Sequence, residues 1–387
     1  FDHDKWRAGH LCTNKQGNMI VEFSLNPGES HSRLFYGLKK NGRYYFPGEP
    51  VYKEVDTTSC INCENNNYRG RFESRNILVS LSDDTAENKQ YLFSMSSYYS
   101  LAELIDIDDG EDFTFYKWNM TKFFNLTHSI FSLEFSLFEI GNTNTYIAAF
   151  IESAGLNAKN DEYSNTVTIT KFQINSFTPN NPRDILANDI LTGTYDGRCV
   201  SAFRLDDSQL IVLVYVKRLA ETQGRYLAYF YDDNLTYKDQ VSLYDTVNDL
   251  WIGYGIFVKA ISIKGDYAAF AFFSSGHTNS KNTLNFKFVK YNSGKDNKFD
   301  YIKEMIFSDR SFRQDVASNG LYKLSDERIV LFTTEDYNSM AYGGLHMFLF
   351  DFYNNYNGFK CREYLFYYPN KRFAKEMAAY MYNGLMN

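Results

Sequence analysis

The sequence predicts an all-β fold: a β-propeller built from four-stranded antiparallel blades. Three observations carry that expectation. Aromatic residues are 18% of the chain, with 34 Phe and 32 Tyr, and such side chains favour pleated, half-buried surfaces. Pro is scarce at 6 residues, so the chain turns on Gly, Asn and Asp, which tolerate the left-handed backbone of tight hairpins. A pattern of four strands also recurs along most of the length.

The repeat is plainest from Cys199 to Leu243. CVSAFRL reads as a first strand, DDSQ as a turn and LIVLVYV as a strongly apolar second strand. YLAYFYDD is a third strand, DNLT a turn, and KDQVSLY a fourth strand. The next copy holds IFVKAISI, YAAFAFF, LNFKFVKY and YIKEMIF. The one after holds GLYKL, RIVLF, LHMFLFDF and CREYLFYY. In these copies the second strands start near Ile211, Ala268 and Ile329, and the third strands near Leu227, Leu284 and Leu345. The offset is 16 residues each time. The alternatives are a β-sandwich pair or a β-helix; a sandwich would explain alternation but not that constancy.

Earlier copies are looser. Ile130 to Ile185 holds IFSLEFSLFEI as one first strand, then TYIAAFI, VTITKFQI and a poor fourth strand. Ser74 to Trp118 holds NILVSLS, YLFSMS, LAELIDI and FTFYKW. An irregular copy opens the chain with MIVEFSL, RLFYGL and RYYF. The count is six blades, with seven as the alternative. In a blade the second strand is covered on both faces by neighbouring blades, so it reads as an unbroken apolar run. The third strand is expected to alternate, being nearer the rim, and the fourth to carry charge at an exposed edge.

Residues 1–387 therefore read as a single propeller domain. Residues 51–75 are expected to form an irregular loop that contains two cysteines. The tail, residues 373–387, either supplies the strand missing from the first blade, closing the ring, or leads to a further domain. Phe1 at the start suggests a processed product or a segment of a longer protein.

Composition narrows the function. The net charge of -7 speaks against a broad basic surface for nucleic acid. No apolar run approaches the roughly 20 residues of a membrane-spanning helix. Neither GxSxG, HExxH, GxGxxG nor a P-loop occurs. The sialidase Asp box and the repeated WD, YWTD and kelch signatures are missing too. The six His are scattered and read as loop or surface residues. Cys60 and Cys63 form a lone CxxC, which supplies half of a zinc site. Cys12, Cys60, Cys63, Cys199 and Cys361 are disulfide candidates, giving two bridges and an odd thiol in an oxidising compartment. Sequons fall at Asn119, Asn125 and Asn234, the last in a hairpin turn. The acidic turn DIDDGED offers Asp106, Asp108 and Asp112 as hard oxygen ligands for Ca²⁺. A solvated hairpin turn is the plainer reading, and no other cofactor is expected.

Charges on the presumed inner strands are Glu134, Arg204, Asp206 and Lys259. A carboxylate pair at the channel mouth would suit glycoside cleavage. The aromatic stretches at 98–101 and FYKWNMTKFFN are expected to pack between blades, with stacking on sugars or docking of a protein as the alternative.

The segments YLFSMSSYYSLAELIDI, RCVSAFRLDDSQLIVLVYVK and YLAYFYDDNLT resemble the propeller-like regions of large Asn/Tyr/Phe-rich surface proteins of single-celled eukaryotes. The resemblance spans Ile77 to Phe366 at the level of repeats. It implies an extracellular or cell-surface protein, with EGF-like repeats often following. The resulting expectation is a non-enzymatic scaffold or adhesion module that binds proteins or glycans, or assembles with itself or a longer parent chain. A carbohydrate-active hydrolase is the alternative.

Overall fold

The computed structural model describes 26 strands, one short helix and the turns at 124–126, 205–206, 232–236, 265–266, 292–298, 326–327 and 353–358, with a few flanking residues. Side chains are described for most of these from residue 118 onward.

The strands form six antiparallel sheets among the described residues. The first sheet comprises β1 (Trp6–Thr13), β2 (Met19–Leu25), β3 (His31–Lys40) and β4 (Arg43–Tyr45), with β5 (Val51–Glu54) also paired to β3. The second holds β6 (Ser74–Ser82), β7 (Asn88–Ser96), β8 (Leu101–Asp106) and β9 (Thr114–Asn119), followed by α1 (Met120–Phe123). The third holds β10 (Ser129–Ile130), β11 (Ser136–Ile140), β12 (Thr145–Asn157), β13 (Glu162–Gln173) and β14 (Asp184–Thr192). The fourth is β15 (Val200–Arg204), β16 (Leu210–Val216), β17 (Arg225–Tyr231) and β18 (Tyr237–Asp245). The fifth is β19 (Val258–Lys264), β20 (Tyr267–Ser275), β21 (Thr283–Tyr291) and β22 (Phe299–Phe307). The sixth is β23 (Asn319–Ser325), β24 (Arg328–Thr334), β25 (Gly344–Phe352) and β26 (Phe359–Tyr367).

Each sheet is drawn from one consecutive stretch of chain. Its first strand lies against the first strand of the next, from β1 to β6, β11, β15, β19 and β23. Successive sheets in contact through their first strands make the propeller arrangement.

The core sits between blades. All of Leu210–Tyr215 is buried on β16, as are Ala268–Phe273 on β20 and Ile329–Phe332 on β24. Aromatic rings fill the wedge from one blade to the next. Phe286 stacks on Phe350 with centroids 3.8 Å apart, and Phe288 meets Phe352 at 4.5 Å. One blade earlier, Tyr226 meets Phe272 at 4.8 Å. Phe299 and Phe359, each opening a fourth strand, stand edge-on to Phe270 and Phe286. Such pairs add about 0.5–1.5 kcal/mol beyond area burial.

Near the axis the blades are joined by hydroxyls. Ser136 Oγ accepts the Ala202 N–H at 2.8 Å. Ser201 Oγ accepts the Ala260 N–H at 2.9 Å and donates to the Ala260 carbonyl at 3.3 Å. First strands of adjacent blades do not pair as a ladder, so serine satisfies backbone groups that would otherwise be buried and unmade.

Several expectations are corrected. The first sheet gains its missing strand from the N-terminus: β1 (WRAGHLCT) pairs with β2, whereas residues 373–387 lie outside the described residues. Its Gly and His hid the strand from a hydrophobicity reading. The irregular loop is shorter than 51–75, because Val51–Glu54 pairs with β3 and Ser74–Arg75 opens β6. IFSLEFSLFEI is not one strand; β10 and β11 pair separately with β12. Among the described residues, third strands do not alternate strictly between exposed and buried. On β17 every residue from Tyr226 to Tyr231 is buried, because the neighbouring blades still cover both faces at that radius.

Truncating Phe286 to Ala should cost about 3–5 kcal/mol in chemical denaturation, with Phe286→Leu costing less. Ser201→Ala should cost about 1–3 kcal/mol by stranding the Ala260 amide.

Candidate functional site

The turns joining first to second and third to fourth strands fall at the same end of each sheet, which is a face of the propeller. In the last three blades this face is knit by polar side chains. Arg204, at the end of β15, holds both carboxylate oxygens of Asp233 at 2.8 Å. Lys171 of the preceding blade donates to the Asp233 carbonyl at 2.6 Å. Asp206 Oδ2 accepts the Gly265 N–H of the next blade at 2.7 Å. Tyr291 OH donates to Gln209 Oε1 at 3.2 Å. One blade further, Lys323 donates to the Ile263 carbonyl and pairs with Asp326 at 2.8 Å. Tyr356 OH donates to the Asp326 carbonyl at 3.1 Å. Arg204 and Asp206, two of the expected inner-strand charges, are thus engaged in cross-turn and cross-blade bonds.

The third-to-fourth turns share a device that the strand pattern did not reveal. Leu235, Lys298 and Tyr356 all have left-handed backbone, with φ of 59°, 59° and 54°, and each follows an Asn: Asn234, Asn297 and Asn355. Asn297 and Asn355 accept the N–H two residues on, at 3.3 and 3.4 Å. Asx turns of this kind offset the cost of a left-handed residue. The Asn234 turn differs. Asp232 Oδ1 accepts the N–H groups of both Asn234 and Thr236 at 2.9 Å, and Lys238 lies 2.8 Å from its other oxygen. Lys238, and then the Thr236 N–H, hold the Asp232 carboxyl well below the usual carboxylate range. The local signal was an Asn before a left-handed position in DDNLT, KDNKF and YNNYN.

The first strands, which lie nearest the axis, are poor in acid. Among β1, β6, β11, β15, β19 and β23 the sequence has a single carboxylate, Glu139, against Arg7, Arg75, Arg204, Lys259, Lys264 and Lys323. Glu134 lies outside the described residues. Glu139 sits opposite Tyr146 on β12, and burial first, then this carboxylate, pushes the Tyr146 hydroxyl up.

Of the sequons, Asn119 caps α1, its Oδ1 accepting the Thr121 N–H at 2.9 Å. Asn125 is exposed with φ of 55°, and Asn234 is exposed in its turn. Cys361 is a free, half-buried thiol on β26 and so is not a disulfide partner here. Burial first, then the charge of Glu363, pushes that thiol up to about 11, with Lys303 opposing. Cys12 lies in β1; Cys60, Cys63 and Cys199 fall outside the described residues. Asp106 ends β8, while Asp108 and Asp112 fall outside.

Of the two readings of FYKWNMTKFFN, packing rather than stacking on a ligand holds at Trp118, Phe123 and Phe124. All three are buried, Phe124 against Phe150 and Phe172 at 5.3 Å each. His346 is not a surface residue but fully buried, its Nδ1 lying 2.7 Å from Glu363 Oε1.

Compared with known protein families and with curated proteins, the sequence matches none. Among solved structures it is similar to the WD40 domain of SCAP from fission yeast, at 9% identity and a TM-score of 0.43, covering 93% of this chain and 74% of that one. It is similar to the Nup133 β-propeller domain of Vanderwaltozyma polyspora, at 9% identity and 0.44, covering 84% and 80%. A third is the GH93 alpha-L-arabinofuranosidase of Fusarium graminearum, at 10% and 0.39, covering 86% and 89%. The propeller fold of this chain stands on its own sheet order.

Because the Asp232 carboxyl titrates below its unfolded value, its contribution is present above the ordinary carboxylate pKa of about 3.9 and is lost as pH falls through the depressed folded value. Asp232→Ala should therefore lower the thermal midpoint by an amount that holds from pH 7 to about pH 5 and shrinks below about pH 4. Cys361 should alkylate slowly at pH 8 in the native chain, its rate climbing as pH nears 11 and rising sharply on denaturation.

Proposed function

We propose that this chain is a non-enzymatic extracellular scaffold or adhesion module that presents its propeller faces to protein or glycan partners. The observation that carries this reading is the use of charge. Among the side chains described on the turn face, Arg204, Asp206, Asp233, Lys323 and Asp326 are committed to holding blades and turns together. A glycoside hydrolase needs two carboxylates roughly 5–10 Å apart, and Glu139 is the single one on the first strands. Among the described residues, the first strands therefore offer no pair for that chemistry.

The extracellular part of the reading has separate support. Asn234 is exposed in a turn whose backbone is capped by Asp232 rather than by its own carboxamide, so a glycan there leaves the cap intact. The resemblance to protist surface proteins points the same way, as does the cysteine count once Cys361 is set aside as the odd thiol.

Intact mass of protein from a glycosylating eukaryotic host tests the compartment. Expected are a mass drop on deglycosidase treatment, removed by Asn234→Gln at that site, and two disulfides that open with reductant, while Cys361 of the denatured chain alkylates without it. Five free thiols and an unmodified Asn234 would be evidence against secretion. A screen on aryl glycosides and plant or microbial polysaccharides should show no turnover above the blank.

A further inference from the structure

The outer strand of the third blade differs from those of the next three. On β18 the exposed residues include Lys238, on β22 Lys303, and on β26 Lys360 and Arg362. Lysine and arginine on an edge strand deter pairing with another chain. β14 exposes Asp184, Leu186, Asn188 and Ile190 instead, with Leu186 and Ile190 each 49% exposed. Its sequence, DILANDILT, carries no Lys or Arg.

That sequence is also nearly palindromic. Laid antiparallel against itself about Asn188, it sets Leu186 opposite Ile190, Ile185 opposite Leu191, and Asp184 opposite Thr192. Aspartates do not face each other: Asp189 falls opposite Ala187. The backbone is directed suitably as well. The Ile190 N–H is taken up by its own neighbour, Asp189 Oδ1, at 3.0 Å. A local bond of this kind substitutes for a ladder partner and can be exchanged for one. By the two-residue period of a strand, Asn188 shares that outward direction. A register shift against β13 falls beside Leu186, at one end of the stretch, and a two-fold axis carries it to the far end in the partner.

We propose that β14 is a self-association edge: two copies of this chain pair antiparallel through Asp184–Thr192 about a two-fold axis at Asn188. The pairing joins two sheets into one across the dimer, covers Leu186 and Ile190 of each copy with Ile190 and Leu186 of the other, and exchanges the Ile190–Asp189 bond for a bond to the partner's backbone. Such isologous contacts are self-complementary by symmetry, and strand addition supplies main-chain bonds with side chains giving register. The inference deepens the scaffold reading by naming one partner, and it rests on that reading only for its biological use.

The test is the solution mass of the full chain by light scattering between about 1 and 100 µM. The parent should run as a dimer in that range. Asn188→Lys places two cations face to face on the axis and should weaken dimerisation at least tenfold, as should Asn188→Asp. Mixing those two variants should restore a mixed dimer. Gln240→Lys, on the exposed face of β18, should change nothing. Asn188→Cys should give a covalent dimer, absent from the parent, that reductant dissolves. A parent that stays monomeric at 100 µM overturns the proposal. So does a dimer indifferent to Asn188→Lys, which would place the contact elsewhere, or a charge-swapped mixture that stays monomeric. None of these outcomes touches the scaffold reading, which falls instead on glycosidase turnover.

Discussion

Everything in this molecule depends on one constraint: the second strand of each sheet must be covered on both faces, and only neighbouring sheets can cover it. LIVLVYV and YAAFAFF are too apolar to face water on either side. Burial at about 25 cal/mol per Å² of apolar surface drives the sheets together, and their first strands converge on a common axis because that is where they touch. The large share of Phe and Tyr follows. Sheets that radiate from an axis diverge toward the rim, and the gap needs bulky, rigid fillers. Phe286 on Phe350 and Tyr226 on Phe272 are the same solution repeated between different pairs of blades.

Much of this was legible in the sequence. The 16-residue offset between second and third strands was enough to define the blade, since it fixes a hairpin of constant length. What failed did so for identifiable reasons. WRAGHLCT has too little apolar character to read as a strand, yet β2 gives it a ladder to join. The third strands look alternating in sequence because Tyr is counted as half polar, whereas Tyr226 and Tyr231 are wholly buried. For Trp118, Phe123 and Phe124 the sequence favoured packing but left binding open, because it shows an aromatic cluster but not which side of it faces the neighbouring sheet.

The turn face was less legible than the strands. Arg204 and Asp206 were visible as charges near the axis, but their roles were not, because their partners lie in other turns. Asp233 is 29 residues from Arg204 in sequence, and Gly265 is 59 residues from Asp206. Bonds of that reach depend on how blades are juxtaposed, which periodicity cannot supply. Buried His346 beside Glu363 is a similar case; a lone histidine in a strand gives no warning that its neighbour on the adjacent strand is an acid.

The origin of each sheet from one unbroken stretch of chain bears on how the protein is made. A blade can assemble from hairpins as soon as its own residues leave the ribosome, without waiting for a distant segment to return. Repeats of one shape then risk docking out of order. The fillers differ in residue from one gap to the next: Tyr226 meets Phe272 between the fourth and fifth sheets, whereas Phe286 meets Phe350 between the fifth and sixth. A mismatched pair of fillers would leave a void or a clash, which disfavours docking out of order.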